Sequence, residues 1–260
     1  MNNIDLEEKT YTTGRRPFPY FSVGMIVVGT VMLIGGAVFY KTSDNPNYKT
    51  ILTSVSEDVE LGKTESVKID MGAGTLKVLP SSDDRVHIEG DVPKNYTLKE
   101  SGGTLLVDLH SGWNLNFGFL DLDKTTVDAT LYLPDKEYEM VELDVGAGEI
   151  TVNDIKCKKA SFETGAGELT AKGINCTGEV KVDIGAGDIK FTHSVTGGLD
   201  VDIGAGDFEY SGEVNGDIDV DCGVGDCDIE LTNSKSEYDK KYSVTYDKGI
   251  GDVTVEFKND

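Results

Sequence analysis

The sequence predicts an all-β, single-domain solenoid, a parallel β-helix-like stack with rungs of about 19 residues, preceded by one transmembrane α-helix. Three observations predict it. A glycine motif recurs at near-constant spacing, apolar and polar residues alternate on both sides of each motif, and an uncharged apolar run lies near the N-terminus.

The apolar run comes first. From Tyr20 to Tyr40 the chain reads YFSVGMIVVGTVMLIGGAVFY, with no charge between Arg16 and Lys41. About 20 residues at 1.5 Å rise cover the roughly 30 Å hydrocarbon core of a bilayer. Phe18, Tyr20 and Phe21 flank one end and Phe39 and Tyr40 the other, as interface aromatics do. Arg15 and Arg16 before the span favour a cytoplasmic N-terminus, although Lys41 and Lys49 follow it. The competing reading is a cleaved signal peptide, with Gly35 and Ala37 before the cut, but a cleavable apolar core is usually about 7–15 residues. The first cysteine is Cys157, so no lipid-modified cysteine follows the segment. The expected layout is a cytoplasmic tail over 1–19, the span over 20–40, a polar stalk over 41–60 and the solenoid over 61–257. The expected location is the cell membrane, single-pass, with the C-terminal domain extracytoplasmic.

The repeat defines the rest. LDVGAGEITV at Leu143–Val152 recurs as FETGAGELTA at Phe162–Ala171, VDIGAGDIKF at Val182–Phe191, VDIGAGDFEY at Val201–Tyr210 and VDCGVGDCDI at Val220–Ile229. An earlier copy, IDMGAGTLKV, occupies Ile69–Val78, and a degenerate one, YDKGIGDVTV, occupies Tyr246–Val255. From Gly146 to Gly223 the first glycines step by 19, 20, 19 and 19. Such self-similarity is the signature of stacked repeats. Period-two alternation marks short strands, and strands of four or five residues bury little alone. Each rung must therefore stack on the next at roughly 4.8 Å. The predicted core columns are Val145, Thr164, Ile184, Ile203, Cys222 and Ile150, Leu169, Ile189, Phe208, Cys227. Tandem hairpins in a sandwich are the alternative, but they need less regular spacing. Residues 79–142 fit less well. Strands at Arg85–Glu89, Thr104–Leu109 and Val127–Leu133 suggest irregular coils between the first motif and the regular run.

Composition narrows the partners. Lys+Arg 24 against Asp+Glu 47 gives a net charge of −23, and the first 40 residues are neutral, so the excess lies in 41–260. Such a surface repels phosphates, which excludes nucleic acid and leaves cations, basic peptides or basic surfaces.

The acidity is patterned. Asp144, Glu163, Asp183, Asp202, Asp221 and Asp247 precede each turn by two residues. Glu149, Glu168, Asp188, Asp207, Asp226 and Asp252 follow its second glycine. Stacked carboxylates about 5 Å apart cost on the order of 1 kcal/mol per pair even in water. Each preceding Asp can relieve this locally by accepting the amide of the glycine two residues on, as in an Asx turn. The alternative is Ca²⁺, with Asp183, Asp188, Asp202, Asp207, Asp221 and Asp226 as candidate ligands. The known calcium-binding solenoid repeat, however, has a nine-residue period. No other cofactor is expected.

Four cysteines lie in the repeats. Cys222 and Cys227 replace core positions such as Ile184 and Ile189, which suits small apolar filler, and they also flank one turn. Cys157 and Cys176 are one rung apart, at a Cα separation of about 5 Å that a disulfide tolerates. Both pairs are candidate disulfides in an oxidising compartment. His87, His110 and His193 are scattered singly, with exposed, satisfied side chains as the default expectation. No catalytic constellation of hydrolases or phosphate-binding loop is present, so no catalytic residue is assigned. The segment LHSGWNLNFGFLDLDK, Leu109–Lys124, breaks the pattern with Trp113, Phe117 and Phe119, either packed against a solenoid end or exposed as ligand contacts.

The LYLP of Leu131–Pro134 followed by VELDVGAGEITV, the repeated GAG[DE] units, and GIGDVTVEF at Gly249–Phe257 resemble the putative-adhesin family of bacterial surface proteins, a domain of unknown function. The resemblance spans about Glu60–Phe257. The anchor-plus-solenoid layout is also similar to membrane proteins of Lia-type envelope-stress systems. The resemblance implies a surface β-solenoid and no established catalysis. The expectation is a non-enzymatic envelope protein in adhesion, scaffolding or envelope-stress sensing, with an envelope protein or glycan as partner. The alternatives are a calcium-binding adhesin and a β-helix enzyme acting on cell-surface polysaccharide, whose substrates call for basic rather than acidic strand faces.

Overall fold

A computed structural model describes residues 52–59, 63–110 and 126–259. The predicted span over 20–40 and the Trp113–Phe119 aromatics lie outside those residues, as does the predicted stalk over 41–60 except for 52–59, which form a strand of the solenoid's end and not a stalk. In chain order the strands are β1 Leu52–Val59, β2 Ser66–Pro80, β3 Val86–Pro93, β4 Thr97–Ser101, β5 Thr104–Asp108, β6 Val127–Leu133, β7 Glu137–Tyr138, β8 Met140–Asn153 and β9 Lys156–Cys157. They continue as β10 Ala160–Thr164, β11 Glu168–Lys172, β12 Asn175–Ile184, β13 Asp188–Ala205, β14 Phe208–Val214, β15 Ile218–Val224 and β16 Cys227–Leu231. A one-turn helix, α1 (Lys235–Tyr238), precedes β17 Val244–Ile250 and β18 Val253–Phe257.

The motif strands stack in parallel and in register. Thr164 pairs with Val145 and Ile184, and Ile203 with Ile184 and Cys222. Across the corner, Leu169 pairs with Ile150 and Ile189, and Phe208 with Ile189 and Cys227. Both predicted core columns are therefore present, and their members are buried. Each rung has two longer sides meeting at the GAG corner and a short third side. On that short side Tyr138, Cys157, Cys176 and Thr196 stack.

Alternation explains the packing. In β12 and β13, Val182, Ile184, Ile189 and Phe191 face inward while Asp183 and Lys190 face out. Large rings fill the wider part of the interior: Phe191 lies 5.0 Å from Phe162 and 5.9 Å from Phe208, centroid to centroid. Buried Tyr210 donates its hydroxyl to the Glu213 carbonyl at 2.9 Å, which satisfies its polar end. The step from Gly223 to Gly249 is longer because α1 is inserted, and its Tyr238 hydroxyl reaches the Gly216 carbonyl at 2.7 Å.

The early region differs from the expectation of coils between the first motif and the regular run. β2 lies directly on β8, Asp70 against Asp144 and Ala73 against Ala147, despite a separation of 74 positions. The other edge of β2 is taken by β5 and β6. Then β3 joins β6 antiparallel, β1 joins β3 antiparallel, and β4 forms a hairpin with β5. The described residues between 79 and 142 thus fold back over the outer edge of the first rung and close that end.

The opposite end is open among the described residues. The core-facing column of Ile203 and Cys222 ends on Lys248 in β17, and Lys248 pairs with Asp252 at 3.0 Å. An inward-pointing charge on a terminal strand is a known guard against edge-to-edge association. Beside it, Tyr246 and Ile250 are 43% and 75% exposed.

Candidate functional site: two acidic columns

The corner geometry sets both columns. Its second glycine permits the close approach of successive rungs: a Cβ on Gly187 would stand 2.0 Å from the Gly167 carbonyl oxygen. With backbones locked in this way, residues at equal distances from the corner fall into line.

The column before the corner runs Asp108, Asp70, Asp144, Glu163, Asp183, Asp202, Asp221 and Asp247, each in register with the next. Neighbours in such a parallel stack lie about 4.8 Å apart. Desolvation, followed by repulsion from Asp183 and Asp221 on either side, raises the pKa of Asp202. Desolvation first and column neighbours second raise Glu163 and Asp221, and desolvation alone raises Asp183. Asp70 is raised by burial, against the pull of His110. The His110 ring closes the end of the column, its Nδ1 2.7 Å from Asp70 Oδ1 and 3.6 Å from Asp108 Oδ1.

The expected Asx turn is not what relieves the crowding at the Asp183–Gly185 corner, and the Glu163–Gly165 corner behaves alike. The Gly185 amide donates to the Thr164 carbonyl at 2.8 Å, and the Gly165 amide to the Val145 carbonyl at 2.8 Å. The stacking of rungs takes up those amides before a carboxylate two residues earlier can.

The second column does cap backbone, but between rungs. Asp188 Oδ1 accepts the Asp207 amide at 3.0 Å, Asp207 Oδ1 the Asp226 amide at 2.9 Å, and Asp226 Oδ1 the Asp252 amide at 2.9 Å. A charged acceptor facing an amide forms a stronger bond than a neutral one. Of the six residues considered for Ca²⁺, Asp183, Asp202 and Asp221 stack in the first column and Asp188, Asp207 and Asp226 in the second. Among the described residues no group of three or more His, Cys, Asp or Glu side chains is arranged to hold a metal ion.

Beyond the second column, a shallow cavity of about 590 Å³ crosses successive rungs and is lined by Lys190, Glu209, Asp228, Glu230, Thr254 and Glu256. Lys190 pairs with Glu209 across one rung step, and Lys258 with Glu230.

Two histidines have more specific roles than the sequence suggested. His87 bridges two carboxylates, Nδ1 to Asp58 at 2.5 Å and Nε2 to Asp83 at 2.9 Å, tying β1 to β3. Those hydrogen bonds, Asp83 first, raise its pKa. Asp83 is held down to about 2, chiefly by the Arg85 amide and then by His87. The Asp83–His87 spacing is visible in the sequence, whereas the Asp58 partner arrives through antiparallel pairing that no local pattern announces. His193 sits at an exposed corner with φ of 54°.

All four cysteines are buried free thiols. Cys157 and Cys176 are register partners, while Cys222 and Cys227 occupy core columns on either side of one corner. Burial pushes the Cys227 thiol up to about 12.

Comparison with solved structures finds distant matches at low identity. A "putative cell adhesion protein" from Clostridium sporogenes shares 14% identity over 79% of this chain and 100% of its own, with a TM-score of 0.46. A "putative adhesin" from Bacteroides fragilis shares 15% over 78% and 97%, with a TM-score of 0.48. A "putative lipid binding protein" from Parabacteroides distasonis shares 14% over 78% and 93%, with a TM-score of 0.40. No curated protein matches the chain. The model of one family, described as Toastrack DUF4097, matches residues 64–260. With some three quarters of its length matched, the chain belongs to the toastrack DUF4097 family.

Proposed function

We propose that the chain is a non-enzymatic, membrane-anchored, extracytoplasmic β-solenoid of the bacterial cell envelope, and that it serves as an adhesive scaffold. The observation that carries this reading is the unbroken column from Asp108 to Asp247, with His110 at one end. A rigid row of like charges at rung spacing presents the same chemistry many times over. That suits a repetitive, positively charged partner on an envelope protein or glycan better than a single small substrate. The apolar run Tyr20–Tyr40 supports display from a membrane, and Arg15 and Arg16 support the outward orientation of the solenoid.

Cells producing the full chain test the adhesive role. They should adhere to amine-bearing beads and to isolated envelope fragments more than cells lacking it, and moderate salt should abolish the difference. Equal adherence by the two strains would overturn the adhesive role. Release of reducing sugar from uronate or cell-wall polymers by the purified protein would overturn the non-enzymatic one.

A further inference from the structure

We propose that Cys157 and Cys176 form a disulfide between adjacent rungs, while Cys222 and Cys227 stay as thiols. Cys157 in β9 and Cys176 in β12 are direct register partners on parallel strands. Such partners lie about 4.8 Å apart at Cα, inside the range of about 4.4–6.8 Å that a disulfide accepts. Both side chains face the interior in one column between Tyr138 and Thr196, at 0% and 1% exposure. The two thiols perturb each other's titration, Cys157 upward and Cys176 downward, as neighbouring sulfurs do, and the Cys176 thiol also lies 3.9 Å from the Glu179 carbonyl.

The second pair lacks this relationship. Cys222 is in register with Ile203 and Lys248, and Cys227 with Phe208 and Val253. The Cys222 thiol is directed at the Gly225 carbonyl, 3.2 Å away, within its own corner.

The position gives the bridge a purpose. On the long sides β10 and β11 each make five register pairs with β8, whereas β9 and β12 share only two, Asn175 with Lys156 and Cys176 with Cys157. The bridge would reinforce the side of the rung with the fewest backbone bonds. Its ring, from 157 to 176, encloses one complete turn of the solenoid.

The chemistry is thiol–disulfide exchange with a small disulfide such as oxidised glutathione. Cys176, whose pKa is lowered beside Cys157, is taken as the first nucleophile. Its thiolate attacks one glutathione sulfur, the S–S bond breaks, and one glutathione thiolate leaves. Cys157 then loses its proton to solvent and attacks the Cys176 sulfur, releasing the second glutathione. Two protein thiols are oxidised and one small disulfide is reduced to two thiols. Because both sulfurs are enclosed in the native fold, exchange proceeds through a transiently opened short side.

An oxidising surrounding in the cell rests on the extracytoplasmic reading above; the bridge itself is tested without it. Full-length protein in detergent is held in a mixture of reduced and oxidised glutathione with mild denaturant, then alkylated in strong denaturant and mapped by mass spectrometry. Two of four cysteines should escape alkylation, in one linked peptide pair containing Cys157 and Cys176. The Cys222→Ala/Cys227→Ala variant should also protect two, and Cys176→Ser none. Four alkylated cysteines, or a Cys222–Cys227 link, would overturn the proposal. Protein taken from its own cells with four free thiols, alongside a bridge formed in glutathione, would instead count against the extracytoplasmic placement.

Discussion

Asp207 accepts the backbone amide of Asp226, one rung further on, at 2.9 Å, and its own amide is held in the same way by Asp188. Asp207 and Asp226 are therefore each donor to one neighbour and acceptor from the other. Replacing Asp207 by Ala leaves the Asp226 amide without that partner and should cost about 1–2 kcal/mol in chemical denaturation. Asp207→Asn keeps an acceptor oxygen and should recover most of the loss. Equal losses for Ala and Asn would mean that the bond contributes nothing.

The first column makes stability rise on mild acidification. Asp70, Glu163, Asp183, Asp202 and Asp221 all have raised folded pKa values, so the folded state binds their protons more tightly than the unfolded chain. Their penalty is full at neutral pH and falls as pH drops through the folded values, vanishing below the ordinary 3.8 and 4.5. His87, also raised, adds stability that is complete below 6.5 and lost as pH rises through its folded value. Asp83, held at about 2, acts oppositely, its contribution disappearing as pH falls below 3.8. The melting temperature should therefore be higher near pH 5 than near pH 7.5. The rise should shrink in Asp183→Asn/Asp202→Asn. A flat or inverted pH profile in calorimetry would contradict this.

How much of this was legible in the sequence depends on whether the determinant is local. The columns Val145–Cys222 and Ile150–Cys227 follow from glycine spacing and alternation, because a fixed period leaves one register. The placement of β2 against β8 does not follow, since no residue in 79–142 announces that the chain will return to the far edge of its first rung. The two acidic ladders could be read as ladders. Which amides they cap is not legible at Gly185, where an Asx turn is a local option and stacking on Thr164 a non-local one.

The corner allows little substitution. Gly187→Ala would place a methyl 2.0 Å from the Gly167 carbonyl oxygen, and that neighbour is backbone, which cannot rotate away. A loss of about 3 kcal/mol is expected, the upper range for overpacking. Ala186, exposed at the same corner, should accept Ser with a change within about 0.5 kcal/mol. Comparable denaturation midpoints for the two variants would show that the rungs can separate locally.

Lys248 gives a test of the open end. It stands in the column occupied by Ile203 and Cys222 in the preceding rungs. Lys248→Ile completes that column and removes the charge, so the variant should self-associate in light scattering at concentrations where the parent remains dispersed. A monodisperse variant would show that Lys248 does not guard the edge.

The return of β8 to the inner edge of β2 has a consequence in time. A chain emerging N-terminus first presents β2 with neither of its parallel neighbours yet made, since β5 and β6 follow it and β8 comes later still. Its apolar residues Val67, Ile69 and Leu76 gain β5 or β6 on one edge first, but the other edge waits for β8, some 70 residues downstream. Closing so long a loop is slow, while the rungs up to β16 meet their template after about 19 residues and the last after 26. Assembly should thus begin with a single delayed event at the capped end and then proceed as a rapid, one-way winding toward β18.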